Sequence, residues 1–188
     1  MNVTMNITNG WLARNNKTLR NYSPNFNERN EPPYLLIIHF ISLPPRQYGH
    51  HFIRDFFTNK LDIQADPFFE QIKDLKVSSH VVIYRTGVIE QFVNFNDRAW
   101  HAGVSCFEGR ETCNDFSIGI ELEGCEFEPF TKEQYRSLIQ LTRQLKKHYP
   151  LRAVCGHEDV APGRKNDPGP FFDWTYYRQQ AWCETLKK

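Results

Sequence analysis

Residues 34–41 read YLLIIHFI. The run is apolar apart from one polar side chain, His39. Its length and β-branched content predict a buried central strand, with His39 near the end. A second strand is predicted at AVCGH (153–157), which ends on His157. If the two strands are neighbours, both imidazoles emerge at one edge of the same sheet. SHVVIYRTGVIEQFV (79–93) predicts a hairpin turned at Thr86–Gly87. FSIGIELEG (116–124) predicts a strand that turns one face, carrying Glu121 and Glu123, toward something polar.

Helices follow from other signals. Thr131 and Gln134 form a capping box, and Tyr135, Leu138, Ile139, Leu145 and Tyr149 recur at helical spacing before Pro150. The tail from Asp173 to Leu186 predicts a closing helix with Trp174, Tyr177, Ala181 and Trp182 on its apolar side. Short helical stretches are expected within 51–58 and 66–75. The first thirty residues, polar and rich in Asn and Arg, predict an irregular surface arm. Residues 94–114 predict a long loop of the kind that carries function. The expected architecture is mixed α/β: a central mixed β-sheet flanked by helices, in a single domain over residues 1–188.

Composition narrows the function classes. The chain has 188 residues, 40% hydrophobic and 24% charged, with a formal net charge of +1. That is enough for one real core, and no basic run offers a nucleic-acid or membrane surface. No apolar stretch approaches the ~20 residues that span a bilayer. The start, MNVTMNITNGW, lacks the basic and apolar regions of a secretory signal, so the Asn2 and Asn6 sequons carry little weight. Five cysteines, an odd number with no C-x-x-C pair, predict reduced thiols in a cytosolic protein.

Of the seven histidines, His50, His51 and His148 fall at predicted surface positions, while His39, His80, His101 and His157 lie beside strands. GHEDVAPGRKNDPGP (156–170) contains three prolines, which predict a rigid irregular loop and no helix. That loop can fold Asp167 back over the edge where His39 and His157 emerge. Two imidazoles and one carboxylate leave a fourth tetrahedral position open, the layout of a catalytic zinc site. The H-E-x-x-H and P-C-x-x-C signatures are both absent, so the alternative of satisfied core histidines stays open on spacing alone.

LLIIHFISLPP, RAWHAGVS, CNDFSIGIELEG and GHEDVAPGRKNDPGPFFDW together resemble the N-acetylmuramoyl-L-alanine amidase type 2 family, in order and with few gaps from about Gly10 to Arg178. That family shares its fold with phage lysozyme amidases and peptidoglycan recognition proteins. The resemblance implies a zinc enzyme that cuts the amide between 1,6-anhydro-N-acetylmuramic acid and L-alanine during cytoplasmic recycling of cell-wall fragments. Its partner is the small muropeptide substrate, with no nucleic acid or membrane, and it acts as a monomer. His39, His157 and Asp167 match the zinc ligands. Glu121 matches the acid/base carboxylate, with Glu123 its rival on the same face; Glu123 could instead bond a ligand histidine. Lys165 matches the cation beside the scissile carbonyl, and Trp100 a wall of the cleft. His101 is expected in the cleft or behind a ligand, and His80 likewise. Where relatives carry Asn, Arg and Arg, this chain carries Phe40, Thr112 and Lys76, positions expected to contact the muropeptide. Two rival readings remain: a peptidoglycan-binding module that has lost catalysis, and an amidase of intact murein.

Overall fold

The computed structural model describes residues 5–182. The chain opens with a tight hairpin, β1 (Ile7–Thr8) and β2 (Trp11–Leu12), turned by Asn9 and Gly10 at φ 49° and 78°. Then come β3 (Thr18–Arg20), β4 (Phe26–Glu28), the long strand β5 (Leu35–Ile41), helix α1 (Phe52–Phe57) and a 3-10 turn over Pro67–Gln71. β6 (Val81–Ile83) and β7 (Ile89–Gln91) form the expected hairpin, with Gly87 at φ 80° in its turn. β8 (Asp97–Ala99), the small hairpin β9 (Cys106–Phe107) and β10 (Arg110–Glu111), and a 3-10 turn at Cys113–Asp115 lead into β11 (Ser117–Glu123). Helix α2 (Lys132–His148), β12 (Ala153–Gly156), the single turn α3 (His157–Val160) and α4 (Trp174–Ala181) complete the order.

Six strands form one sheet in the order β12-β5-β11-β6-β7-β3. The pairs β12/β5, β5/β11, β11/β6 and β7/β3 are parallel, and the β6/β7 hairpin is antiparallel. Alternation along each strand divides the core between two faces. Leu36, Ile38, Ile118, Ile120 and Leu122 pack on one side against Leu138, Leu141 and Leu145 of α2 and Tyr177 of α4. On the other side Leu35 and Ile37 meet Ala102, Phe116 and Val160, while Val82 meets Ile53, Phe56 and Phe57 of α1. A sheet covered on both faces explains why β5 reads as an unbroken apolar run.

Helix α2 begins as expected: Thr131 Oγ1 accepts from Gln134 N, and Gln134 Oε1 accepts from Thr131 N. The Gln134 amide also reaches into the core and donates to the carbonyls of Ile83 and Glu123, tying the helix start to the sheet.

Three expectations need correction. The arm is ordered from residue 5 onward: β3 is the sixth strand of the sheet and β4 pairs with β8. Polar side chains there coexist with strand because the arm supplies edges, where only one side must be buried. The 94–114 segment likewise contains three short strands in place of a continuous loop. His157–Val160 forms one helical turn despite the prolines, because the nearest, Pro162, lies beyond its end. The closing helix is described only to Trp182, so its expected extension to Leu186 lies outside the described residues. Cys106, Cys113, Cys125 and Cys155 are free thiols; Cys183 lies outside the described residues.

Candidate metal centre

Strand pairing places the polar side chains in one row. Glu121 on β11 lies opposite His39 on β5, and Gly156 on β12 lies opposite Ile38, so His157 arrives next beside His39. The α3 turn and Asp167 are then joined through the backbone, with Glu158 N donating to Asp167 O at 2.9 Å. The result is a buried triangle. His39 Nδ1 is 3.0 Å from His157 Nδ1 and 3.0 Å from Asp167 Oδ2, and His157 Nδ1 is 3.1 Å from the same oxygen.

The protonation state decides what this triangle is. His157 Nε2 lies 3.0 Å from the Ala102 carbonyl, which can only accept, so the proton of the neutral ring sits on Nε2 and Nδ1 presents a bare lone pair. That lone pair faces a carboxylate oxygen and a second imidazole. Burial, and then the neighbouring His157, push His39 down to about 4, so its ring is neutral at pH 7. With its proton on Nδ1 that ring would donate to Asp167; with the proton on Nε2, facing His101, three donor atoms converge at 3.0–3.1 Å, an arrangement that a cation would hold. Metal–ligand bonds of about 2.0–2.1 Å in a tetrahedron give donor–donor edges of about 3.3 Å, close to the spacings seen. The residues fit a metal ion.

Glu121 adjoins the triangle, with Oε1 4.0 Å from His39 Nδ1. The residue is 8% exposed, and Oε2 has no hydrogen-bond partner among the described residues. Burial, then the Asp167 charge, push its carboxyl well above the ordinary value, and Lys165 opposes them. Lys165 is itself exposed on the loop. Glu123 is occupied elsewhere: its oxygens accept from Gly49 N (2.7 Å) and Arg85 N (3.0 Å), not from a ligand histidine.

The other expected positions separate. His101 is buried behind His39, its Nδ1 2.9 Å from His39 Nε2. His80 is deeper: Nδ1 accepts from Gly119 N and Nε2 donates to Asp97 O, while burial, then Arg29, hold it down to about 3. Trp100 is half-buried, its indole N–H donating to Asn27 Oδ1 at 2.6 Å. Thr112, at φ 60°, lines a cavity of about 540 Å³ together with Gly103, Glu111, Pro162 and Arg164. Lys76 lines a separate cavity of about 270 Å³ with Phe56, Leu61 and Ile72. Phe40 points to the opposite face of β5 from His39 and packs with the α2-side core. Two contributors were not visible in the sequence. The Arg29 guanidinium is buried and donates to the carbonyls of Asp97, Asn114, Asp115 and Ser117. Asn114 Oδ1 accepts from the amides of both His101 and Ala102. An isolated Arg and an isolated Asn give no periodic or motif signal.

The sequence profile of the N-acetylmuramoyl-L-alanine amidase family matches residues 29–170. The chain belongs to this family. This amidase is 54% identical over 160 residues to the 1,6-anhydro-N-acetylmuramyl-L-alanine amidase AmpD of Haemophilus influenzae, covering 82% of this chain and 87% of the relative. A crystal structure of AmpD superposes with a TM-score of 0.90 at 46% identity, covering 94% of this chain and 99% of the other. A second solved amidase, AmiD of E. coli in complex with anhydro-N-acetylmuramic acid-L-Ala-D-γ-Glu-L-Lys, superposes with a TM-score of 0.58 at 28% identity, covering 94% of this chain and 65% of that one. In this chain the His39–His157–Asp167 triangle is built from β5, the start of α3 and the loop that follows it, and no helix among the described residues is long and apolar enough to cross a membrane.

Proposed function

We propose that this amidase holds one zinc ion at His39, His157 and Asp167 and hydrolyses the amide between 1,6-anhydro-N-acetylmuramic acid and L-alanine in small cell-wall fragments. It acts as a monomer in the cytoplasm, in peptidoglycan recycling. One observation carries the reading: three potential donor atoms converge beside Glu121, whose buried Oε2 has no hydrogen-bond partner among the described residues. The substrate is supported by the names of the relatives and by the muropeptide bound to AmiD.

Zinc in such a site supplies Lewis-acid activation of water and of the amide carbonyl. The chain's own groups do the rest. Glu121 takes a proton from the attacking water and delivers it to the nitrogen of L-alanine, which as an amine leaves only when protonated. Its Oε1, 4.0 Å from His39 Nδ1, supports that role. Lys165, whose charge already acts on Glu121 and His39, stabilises the negative oxygen that develops on the scissile carbonyl. Trp100, anchored by its indole N–H, offers a rigid wall to the sugar. Thr112 lines the cavity beside the loop and contacts the fragment, and Phe40, whose ring adjoins Gly169 of that loop, and Lys76 remain proposed contacts. The complete ligand set disfavours a binding module without catalysis.

The test is removal of metal by a chelator, with zinc content and release of L-alanine peptides from an anhydromuropeptide measured before and after zinc is restored. Activity should disappear with the metal and return with it, and intact murein should be a poor substrate. Full activity without metal overturns the zinc assignment, and comparable turnover of intact murein overturns the substrate.

A further inference from the structure

Both ligand histidines lean on one dipeptide. The ring of His39 meets the side chain of His101 (Nε2 to Nδ1, 2.9 Å), and the ring of His157 meets the carbonyl of the next residue, Ala102 (3.0 Å). The dipeptide is clamped in turn. Asn114 Oδ1 accepts from His101 N (3.1 Å) and Ala102 N (2.8 Å), and Arg164 Nη2 donates to the Ala102 carbonyl (2.7 Å). Behind the His101 ring, Nε2 lies 3.2 Å from Ser117 Oγ. Room for the ring is made by Gly119, where a Cβ would stand 2.4 Å from His101 Cγ.

Proton positions give this arrangement a direction. With His39 Nδ1 turned to the metal position, its ring proton is on Nε2 and donates to His101 Nδ1. His101 must then carry its own proton on Nε2 and donate it to Ser117 Oγ. His101 is thus committed on both nitrogens and only 8% exposed. Partners of this kind fix the tautomer and orientation of metal-ligating rings.

We propose that His101 is a positioning residue for the metal and not a substrate contact, and that the His101–Ala102 unit, clamped by Asn114, sets the ring orientation of both ligand histidines. This rests on the zinc reading above. The experiment measures zinc affinity of the full chain by competition with a chromophoric chelator, together with kcat and KM for the anhydromuropeptide at saturating zinc. His101→Leu removes the acceptor and should weaken zinc binding about 10–100-fold. His101→Asn returns an acceptor at the δ1 position and should recover most of that loss. His101→Gln carries its acceptor one bond farther out and should not; it serves as the test if the Leu variant fails to fold. KM at saturating zinc should stay near wild type in every folded variant. Unchanged zinc affinity in both the Leu and Gln variants overturns the proposal, as does a raised KM with affinity intact, the mark of a substrate contact. A wild-type chain that binds no zinc overturns the zinc reading itself, and the inference with it.

Discussion

His80 gives a stability measurement whose size follows from its surroundings. The ring is fully buried, and both nitrogens are already engaged, Nδ1 by Gly119 N–H and Nε2 by the Asp97 carbonyl. In the folded protein it is held down to about 3, against 6.5 ordinarily, first by burial and then by the neighbouring Arg29. Between those two values the unfolded chain binds a proton that the folded chain refuses. Stability is therefore fully present above pH 6.5 and falls as pH falls toward the folded value. The slope approaches about 1.4 kcal/mol per pH unit. Integrated from about pH 7 to about pH 5, it amounts to roughly 2 kcal/mol from this one group. Other groups also titrate, so the informative quantity is a difference. His80→Gln keeps an acceptor and a donor but cannot take up the proton. Urea unfolding of both proteins should show wild type losing about 2 kcal/mol more than His80→Gln over that interval, equivalent to roughly 4–8 °C in Tm for a chain of this size. Parallel pH dependences would refute the argument, because they would mean that the folded state protonates His80 as easily as the unfolded chain does.

Two substitutions separate the carboxylates of β11. Glu121→Gln should lower kcat by roughly 10²–10⁴ while zinc content stays intact. Glu123→Gln should instead reduce stability, since its oxygens receive the amides of Gly49 and Arg85; an inactive, fully stable Glu123→Gln would reverse the assignment. Lys165→Met should lower kcat by about 10²–10³ with little change in KM, and near-normal turnover in that variant would remove Lys165 from the reaction.

What the sequence revealed depended on how local the determinants are. β5, β11, β12 and α2 were legible because length, β-branching, helical spacing and the Thr131–Gln134 box are properties of contiguous residues. The neighbouring placement of His39 and His157 was conditional in the sequence on two strands lying side by side, and the β12/β5 pairing meets that condition. The arm was not legible, since β3 and β4 are three residues each and exist through pairing with β7 and β8. Asn9–Gly10, the dipeptide that favours a tight hairpin turn, carried a local signal that the reading of an irregular arm passed over. The choice between Glu121 and Glu123 could not be made from alternation, which puts both on one face; the Gly49 and Arg85 amides, which engage Glu123, favour Glu121. Phe40 shows the converse limit: adjacency to His39 in sequence sends its side chain to the opposite face of the sheet.

The row formed by Glu121, His39 and His157 has a mechanical meaning. Two of the three donors stand on, or immediately after, strands locked by parallel pairing, and a slip of one residue would throw each to the wrong side. Their separation is thus as rigid as the sheet. Asp167 alone arrives on a loop, joined to the same frame by the Glu158 amide and by Arg164, which donates to the carbonyls of Ala102 and Val104. The site is thus a vice braced on every side: two imidazoles held by paired strands, and a buried carboxylate held by a turn that proline stiffens and Arg164 ties down.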